Sequence, residues 1–150
     1  METKKWHGTD KSTWGFGPWQ DKETGLPCLI VRNRSGALCG YVGVERVHPW
    51  YAKEYSEKGP REMEVHGGLT FASKCTPPHP DFAEHRRICH IPSPGESDDI
   101  WWFGFDCAHA WDLSPGRTPP DFASGEDVYR NIEYVKIEVA ELARQLRDIG

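Results

Sequence analysis

The sequence predicts one α+β domain, built from an antiparallel sheet of about four strands and a long C-terminal amphipathic helix. Three observations carry this prediction: a hairpin pattern over residues 26–47, an apolar strand over residues 99–107 and a helical stripe over residues 125–149. The chain has 150 residues with 37% hydrophobic and 27% charged content, which suits a single core. We therefore expect residues 1–150 to form a single domain.

The first 25 residues show neither a helical nor a strand period. Three tryptophans, Trp6, Trp14 and Trp19, stand there among glycine, lysine, aspartate and threonine. Large rings of this kind can fill a core where regular structure is scarce. We expect residues 1–25 to form an irregular, Trp-rich arm.

Residues 26–47 have the pattern of a β-hairpin, because aliphatic and β-branched segments flank a turn-forming Asn-Arg-Ser-Gly sequence. Pairing across this turn places Ile30 opposite Cys39 and Cys28 opposite Tyr41. The two cysteines are then expected as diagonal neighbours on one face of the sheet.

Two further strands are predicted on either side of a long loop. Residues 62–72 predict a strand that is interrupted by Gly67 and Gly68. Residues 99–107 are apolar on both faces, which is typical of a central strand that is covered on both sides. The intervening residues 73–98 are rich in proline, histidine and charge, and we expect a long loop that is functional or mobile.

The C-terminal segment predicts a helix over residues 125–149. Its apolar residues recur from Val128 to Ile149 at alternating spacings of four and three, so they form one stripe. Ser124, with Asp127 three residues later, is the expected N-cap. A helix of this length, roughly 33–36 Å, can lie across a small sheet. The alternative is a dimerising coiled coil of three heptads.

Charge and cysteine content exclude several classes of protein. Lys plus Arg number 18 against 23 Asp plus Glu, so the net charge of −5 argues against general nucleic-acid binding. No apolar run is long enough to span a membrane, and the first residues lack the apolar region of a signal peptide. We expect a cytoplasmic protein whose five cysteines, an odd number, are reduced thiols.

The first candidate site combines the two strands on either side of the long loop. If they pair antiparallel, His66 approaches Asp106 or His109, in a register that the sequence does not fix. A histidine held by a carboxylate is a unit of general acid/base catalysis. We predict a ligand-binding pocket lined by His66, Thr70, Trp102, Asp106 and His109. The alternative is a buried Asp–His pair that only satisfies loop backbone groups.

Two other arrangements involve cysteine. The long loop contains five residues of zinc-ligating type, at a spacing that differs from strong zinc motifs: Cys75, His79, His85, Cys89 and His90. Cys107 and His109 are candidates to complete a mixed zinc site with Cys89 or His90. Alternatively, Cys107 is a nucleophile with His109 or His66 as its base, although its apolar neighbours argue against a lowered thiol pKa.

Four segments together resemble a group of small proteins encoded by bacteriophages and prophages. They are the segment 36–43, the HGGLT sequence at residues 66–70, the WWFGFDCAH sequence at residues 101–109, and the helix around Tyr134. The resemblance implies a bacterial host cytoplasm and a phage accessory role. It brings no catalytic residue with it.

These observations together predict a small phage-type accessory protein that binds a small polar ligand, such as a nucleotide, in the His/Asp/Trp-lined pocket. One alternative is a hydrolase, metal-assisted or of the general acid/base type, that uses His66, Asp106 and His109. We expect no cofactor and assign no metal ligands, and zinc is the alternative that the cysteine and histidine residues leave open. Another alternative is a protein that blocks a host partner through an exposed aromatic patch and has no pocket. The sequence leaves open whether the protein is an enzyme.

Overall fold

A computed structural model describes residues 15–33, 35–77, 87–90, 99–109, 112 and 130–150. The elements in chain order are β1 (Gly15–Gln20), β2 (Pro27–Arg32), β3 (Leu38–Glu45), β4 (Phe71–Lys74), β5 (Ile100–Asp106) and α1 (Ile132–Ile149), with a short 3-10 turn at Pro60–Glu62. This is the predicted α+β arrangement of one antiparallel sheet and one C-terminal helix.

The sheet has five strands in the order β1-β2-β3-β5-β4, and every neighbouring pair is antiparallel. The interior position of β5 confirms the expectation from its apolar sequence. All but one of its residues are buried.

Side chains of successive strand residues point to opposite faces, and each face carries its own core. The helix face is filled by β5 side chains such as Phe103 and Phe105 together with Val135, Val139 and Leu142 of α1. The other face holds a second buried group: Leu29, Val31, Cys39, Tyr41, Ile88, Ile100 and Trp102.

The expectation of an irregular N-terminal arm is wrong for residues 15–20, which form the edge strand β1. This strand pairs with β2, and its register shifts between Phe16 and Trp19. The interruption by Gly17 and Pro18 removes the alternating pattern that identifies a strand in a sequence. Trp6 and Trp14 lie outside the described residues.

The β2–β3 hairpin pairs one residue away from the predicted register. Ile30 lies opposite Gly40, and Cys28 lies opposite Val42. The hairpin does not close through the expected turn of residues 33–36, because Asn33 pairs with Ala37: the Asn33 amide donates to the Ala37 carbonyl (2.8 Å) and Asn33 Oδ1 accepts from the Ala37 amide (3.1 Å). A shift of one residue reverses the face of a side chain. Cys28 and Cys39 therefore lie on opposite faces, not as neighbours on one face.

The strand predicted over residues 62–72 is restricted to β4. Gly67 and Gly68 have φ angles of +68° and +80°, so residues 65–68 form a turn instead of extended chain. This turn places His66 beside α1, which a continuous strand would not do.

The helix begins later than predicted. Asn131 is its N-cap, and the Asn131 side chain accepts a hydrogen bond from the Tyr134 amide at 2.9 Å. Arg130 precedes the cap and is not helical, whereas the expected cap Ser124 lies outside the described residues. The helix packs on β2 and β3, with Gly40 allowing close approach: a Cβ there would lie 2.6 Å from Val139 Cγ2. No helix of the described chain combines the length and apolar character needed to cross a membrane.

A disulfide joins Cys75 and Cys89, contrary to the expectation that all cysteines are reduced. An odd cysteine count leaves room for one pair, and the tertiary structure brings the Cα atoms of these two residues to 4.7 Å. Cys28, Cys39 and Cys107 are free thiols, and all three are buried. The expected long loop is described only at residues 73–77 and 87–90, so His79 and His85 lie outside the described residues.

Candidate functional site

The candidate site lies beyond the end of β5, where the turn around His66 meets α1. The His66 amide donates to Glu138 Oε1 at 2.8 Å. About two turns further along the helix, Gln145 exchanges two hydrogen bonds with the backbone of Glu64. The helix therefore holds this turn at two points, which fixes the position of the His66 ring.

His66 stands between a tyrosine and a carboxylate. Its Nε2 lies 2.9 Å from Asp112 Oδ2, and its Nδ1 lies 2.7 Å from the Tyr134 hydroxyl. An ionised carboxylate only accepts hydrogen bonds, so we assign the proton to Nε2, and the Tyr134 hydroxyl then donates to Nδ1. The His66 side chain is only 5% exposed.

Asp112 is the centre of the cluster, and its carboxylate is fully buried. Besides His66, it accepts from His109 Nδ1 (3.2 Å), from the His109 amide (3.1 Å) and from Arg130 Nε (3.0 Å). Burial by itself would raise the pKa of Asp112. Hydrogen bonds from His66, Arg130 and the His109 amide outweigh burial and hold the pKa of Asp112 below its usual value. The site therefore contains a buried, ionised carboxylate.

His109 is the imidazole that reaches solvent, with 18% of its side chain exposed. Its ring centroid lies 5.4 Å from that of His66. The position of the ring depends on Gly67, because a Cβ on Gly67 would lie 2.1 Å from His109 Cε1. The glycine is needed both for its positive φ and for this close ring contact.

Thr70 and Asp106 form the rim of the cluster. The Thr70 hydroxyl donates to Asp106 Oδ2 at 3.0 Å, while Asp106 Oδ1 accepts from the Ala108 amide at 3.0 Å. Asp106 Oδ1 lies 3.8 Å from His109 Nδ1, beyond hydrogen-bond distance. Asp106 therefore lies beside His109 without a hydrogen bond to its Nδ1.

Four of the five predicted site residues are brought together: His66 and His109 at the centre, and Thr70 and Asp106 at the rim. Trp102 is not part of the site, because it lies fully buried in the core on the sheet face opposite α1. The strand alternation that directs Phe103 and Phe105 toward the helix directs Trp102 away from it.

Three central residues escaped prediction from the sequence: Asp112, Arg130 and Tyr134. Asp112 comes three residues after His109, the spacing at which a short turn lets a carboxylate contact the preceding histidine. Tyr134 and Glu138 are spaced i, i+4 and therefore share a helix face toward His66. Arg130 gave no recognisable signal.

Cys107 does not fit the roles considered for it. Burial raises the pKa of Cys107 far above its usual value, so the thiol stays protonated and is a poor nucleophile. It also lies in the helix-side core, whereas the His90 ring lies against Trp102 on the other face. A mixed site of Cys107 with His90 is therefore excluded.

The cluster has the donor set of a transition-metal site. Three donor atoms lie within 4.8 Å of one another, one each from His66, His109 and Asp112. Two imidazoles and a carboxylate are ligands that zinc and related divalent ions accept.

No family model, curated protein or solved structure matches this chain. The assignment of a function therefore rests on the geometry of the site. The resemblance to phage proteins stays a prediction.

Proposed function

We propose that the protein binds a divalent transition-metal ion of the zinc class through His66 Nε2, His109 Nδ1 and Asp112. One observation carries this proposal: two imidazole nitrogens from separate segments approach the same buried carboxylate oxygen, at 2.9 and 3.2 Å.

The spacing of the donor atoms supports a metal. Zinc–ligand bonds of about 2.0–2.1 Å in tetrahedral geometry separate neighbouring donor atoms by about 3.3 Å. The nitrogen-to-oxygen distances of the cluster lie within a few tenths of an ångström of that value. A small rearrangement would therefore accommodate the ion.

The surroundings of His66 also suit a metal ligand. Metal-bound imidazoles usually donate the proton of the second ring nitrogen to an oxygen acceptor. The Tyr134 hydroxyl contacts Nδ1 and can accept as well as donate a hydrogen bond. His66 can therefore move its proton to Nδ1 and offer Nε2 to a metal.

The local charge favours a cation over the nucleotide that the sequence suggested. With neutral imidazoles, the carboxylates of Asp106, Asp112 and Glu138 outnumber the guanidinium of Arg130, which leaves a formal charge of −2. A field of this sign attracts metal ions and opposes phosphate groups.

A general acid/base hydrolase is the second candidate. The specific observation that favours it is the contact of partly exposed His109 with buried Asp112, since a carboxylate on Nδ1 orients an imidazole as a base. In this alternative, no metal is bound and His109 acts on the substrate.

Zinc titration of the oxidised protein tests the proposal, with unfolding temperature and calorimetry as readouts. Zinc at 100 times its dissociation constant should stabilise the wild type by about 2.7 kcal/mol. Asp112→Asn and His109→Gln should each weaken zinc binding at least tenfold. Asp106→Asn is the matched control, because Asp106 lies only on the rim, and should change the affinity less than threefold.

The proposal fails if the folded wild type binds no zinc, or if Asp106→Asn weakens binding as much as Asp112→Asn. Circular dichroism of each variant shows whether the fold is kept. His109→Gln is the more informative variant should Asp112→Asn unfold, because His109 is partly exposed.

A further inference from the structure

A second cluster, remote from the proposed metal site, contains Cys75, Cys89 and His90. We propose that it is a redox-controlled metal site: oxidised as the disulfide, it binds nothing, and reduced, it binds a thiophilic divalent ion through two thiolates and an imidazole. This inference is independent of the function proposed above.

Hydrogen bonds next to the disulfide also join the segments that carry the two cysteines. The Thr76 amide donates to the Ile88 carbonyl at 3.0 Å, and the Ile88 amide donates to the Thr76 hydroxyl at 2.9 Å. Arg87 Nε donates to the Thr76 carbonyl at 3.0 Å. Ile88 itself is fully buried in the core on the face opposite α1. After reduction, the two sulfurs are therefore expected to remain neighbours.

His90 supplies the third donor. Its Nδ1 lies 3.9 Å from Cys89 Sγ, and the donor atoms of Cys75, Cys89 and His90 all lie within 4.8 Å of one another. In a tetrahedral zinc site, sulfur and nitrogen ligands are separated by about 3.6–3.8 Å. Separation of the two sulfurs to about 3.8 Å would produce a three-ligand site, with water as the fourth ligand.

Trp102, whose ring lies near that of His90, carries a buried hydrogen-bond donor without a partner among the described residues. Trp102 is fully buried, its ring centroid lies 6.4 Å from that of His90, and its Nε1 has no hydrogen-bond partner among the described residues. A buried unsatisfied donor is rare, and a bound ion or water is one of its common explanations. A thiolate or a metal-bound water is a suitable acceptor.

The other thiols do not compete for the ion. Burial raises the pKa of Cys28 and of Cys39 to about 12, so both stay protonated near neutral pH. Each also lies inside a packed core. Cys107 is buried in the same way, and burial raises its pKa as well. Thiolate chemistry in the described chain is therefore confined to Cys75 and Cys89.

Formation of the site requires reduction and then loss of protons. Two small thiols, or one dithiol, reduce the disulfide by exchange, so that the reductant becomes a disulfide and two cysteine thiols form. Metal binding then releases two protons to solvent as both thiols become thiolate ligands. The ion keeps its oxidation state.

Cobalt(II) is the probe, because thiolate ligation gives a sulfur-to-cobalt charge-transfer band that nitrogen and oxygen ligands do not. The chain is reduced with a phosphine, which takes up the oxygen of one water molecule and leaves two thiols. For the reduced chain, we expect the intensity of this band to saturate at one thiolate-bound cobalt ion per chain. For the oxidised chain, we expect no such band.

The variants separate this site from the first. Cys89→Ser should abolish the band, His90→Ala should weaken cobalt binding at least tenfold, and the matched control Cys28→Ala should keep it. His109→Gln should also keep the band, so failure of the first site leaves this test intact.

Three results would overturn the inference. One is a reduced, folded chain without the charge-transfer band. Another is equal loss of the band in Cys28→Ala and Cys89→Ser. The third is loss of the fold on reduction, seen by circular dichroism, because the backbone hydrogen bonds would then be insufficient to hold the cysteines together.

Discussion

Gly67 shows how one residue controls the candidate site. Its φ of +68° is unfavourable for other residues, and its missing Cβ leaves room for the His109 ring. The neighbouring Gly68 has a similar φ of +80°, but a Cβ there would meet nothing within 4 Å. The two glycines thus share a backbone conformation that is strained for other residues, and they differ in steric contact.

We predict that Gly67→Ala and Gly68→Ala both lower the free energy of unfolding by about 1–2 kcal/mol, because both place a side chain in the left-handed region. Only Gly67→Ala should also displace His109 and weaken zinc binding at least tenfold. Urea unfolding and zinc titration measure the two effects. Equal zinc affinities of the two variants would show that the Gly67 contact does not position His109.

The sequence predicted that His66 approaches Asp106 or His109. The structure places the His66 and His109 ring centroids 5.4 Å apart, although His66 reaches this position through a turn and not through the predicted strand. The double glycine was predicted to interrupt a strand, and in the structure Gly67 also makes room for the His109 side chain. Asp112 could not be identified, since its hydrogen bonds to His66 and Arg130 join segments far apart in the chain.

At the scale of the element, α1 both supports the sheet and carries part of the site. Val139 and Leu142 face the core, while Tyr134 and Glu138 contact the turn that holds His66. The position of the helix along its axis therefore determines whether the site is assembled. Its N-terminus is fixed by Asn131.

We predict that Asn131→Ala lowers the free energy of unfolding by about 1 kcal/mol, because the Tyr134 amide loses its side-chain acceptor. Asn131→Asp is the control and should retain most of the stability, since aspartate is an equally good N-cap. Thermal and urea unfolding provide the measurement. An alanine variant as stable as the wild type would show that the cap contributes nothing.

The helix stripe was predictable, because its period depends only on neighbouring residues. Its start was not, since the sequence contains more than one suitable N-cap residue and the structure has Asn131 in that role. The strand predicted over residues 62–72 also differs from the structure. Gly67 and Gly68 form a turn there, so only β4 is extended.

At the scale of the whole molecule, the sheet is covered on both faces, and each face buries a free cysteine. Cys28 belongs to the core beneath α1 and Cys39 to the core on the opposite face. Burial raises the pKa of both thiols from 9 to about 12. The folded chain therefore keeps protons that the unfolded chain loses above pH 9.

This difference predicts unfolding by alkali. The stabilisation by the protonated thiols is complete below about pH 9 and is lost as the pH rises toward 12. The total loss is at most about 4 kcal/mol for each thiol. Urea unfolding at pH 8 and pH 10.5 measures it, and about 2 kcal/mol per thiol should be lost between them.

The control for this prediction is the variant with Cys28→Ala and Cys39→Ala, whose stability should fall less steeply with pH. Part of the slope should remain, because burial also raises the pKa of Cys107 and the pKa of Tyr41 well above their usual values. Identical slopes for the variant and the wild type would contradict the prediction.

The sequence by itself determined the α+β class, the interior position of β5, the amphipathic helix and the two histidines of the site. These features arise from local periodicity, which is written in the order of neighbouring residues. Only the tertiary structure decided the hairpin register, the face on which Trp102 lies, the Cys75–Cys89 disulfide and the role of Asp112. Each of these features depends on contacts between different segments of the chain. Packing and hydrogen bonding in three dimensions determine which segments come into contact.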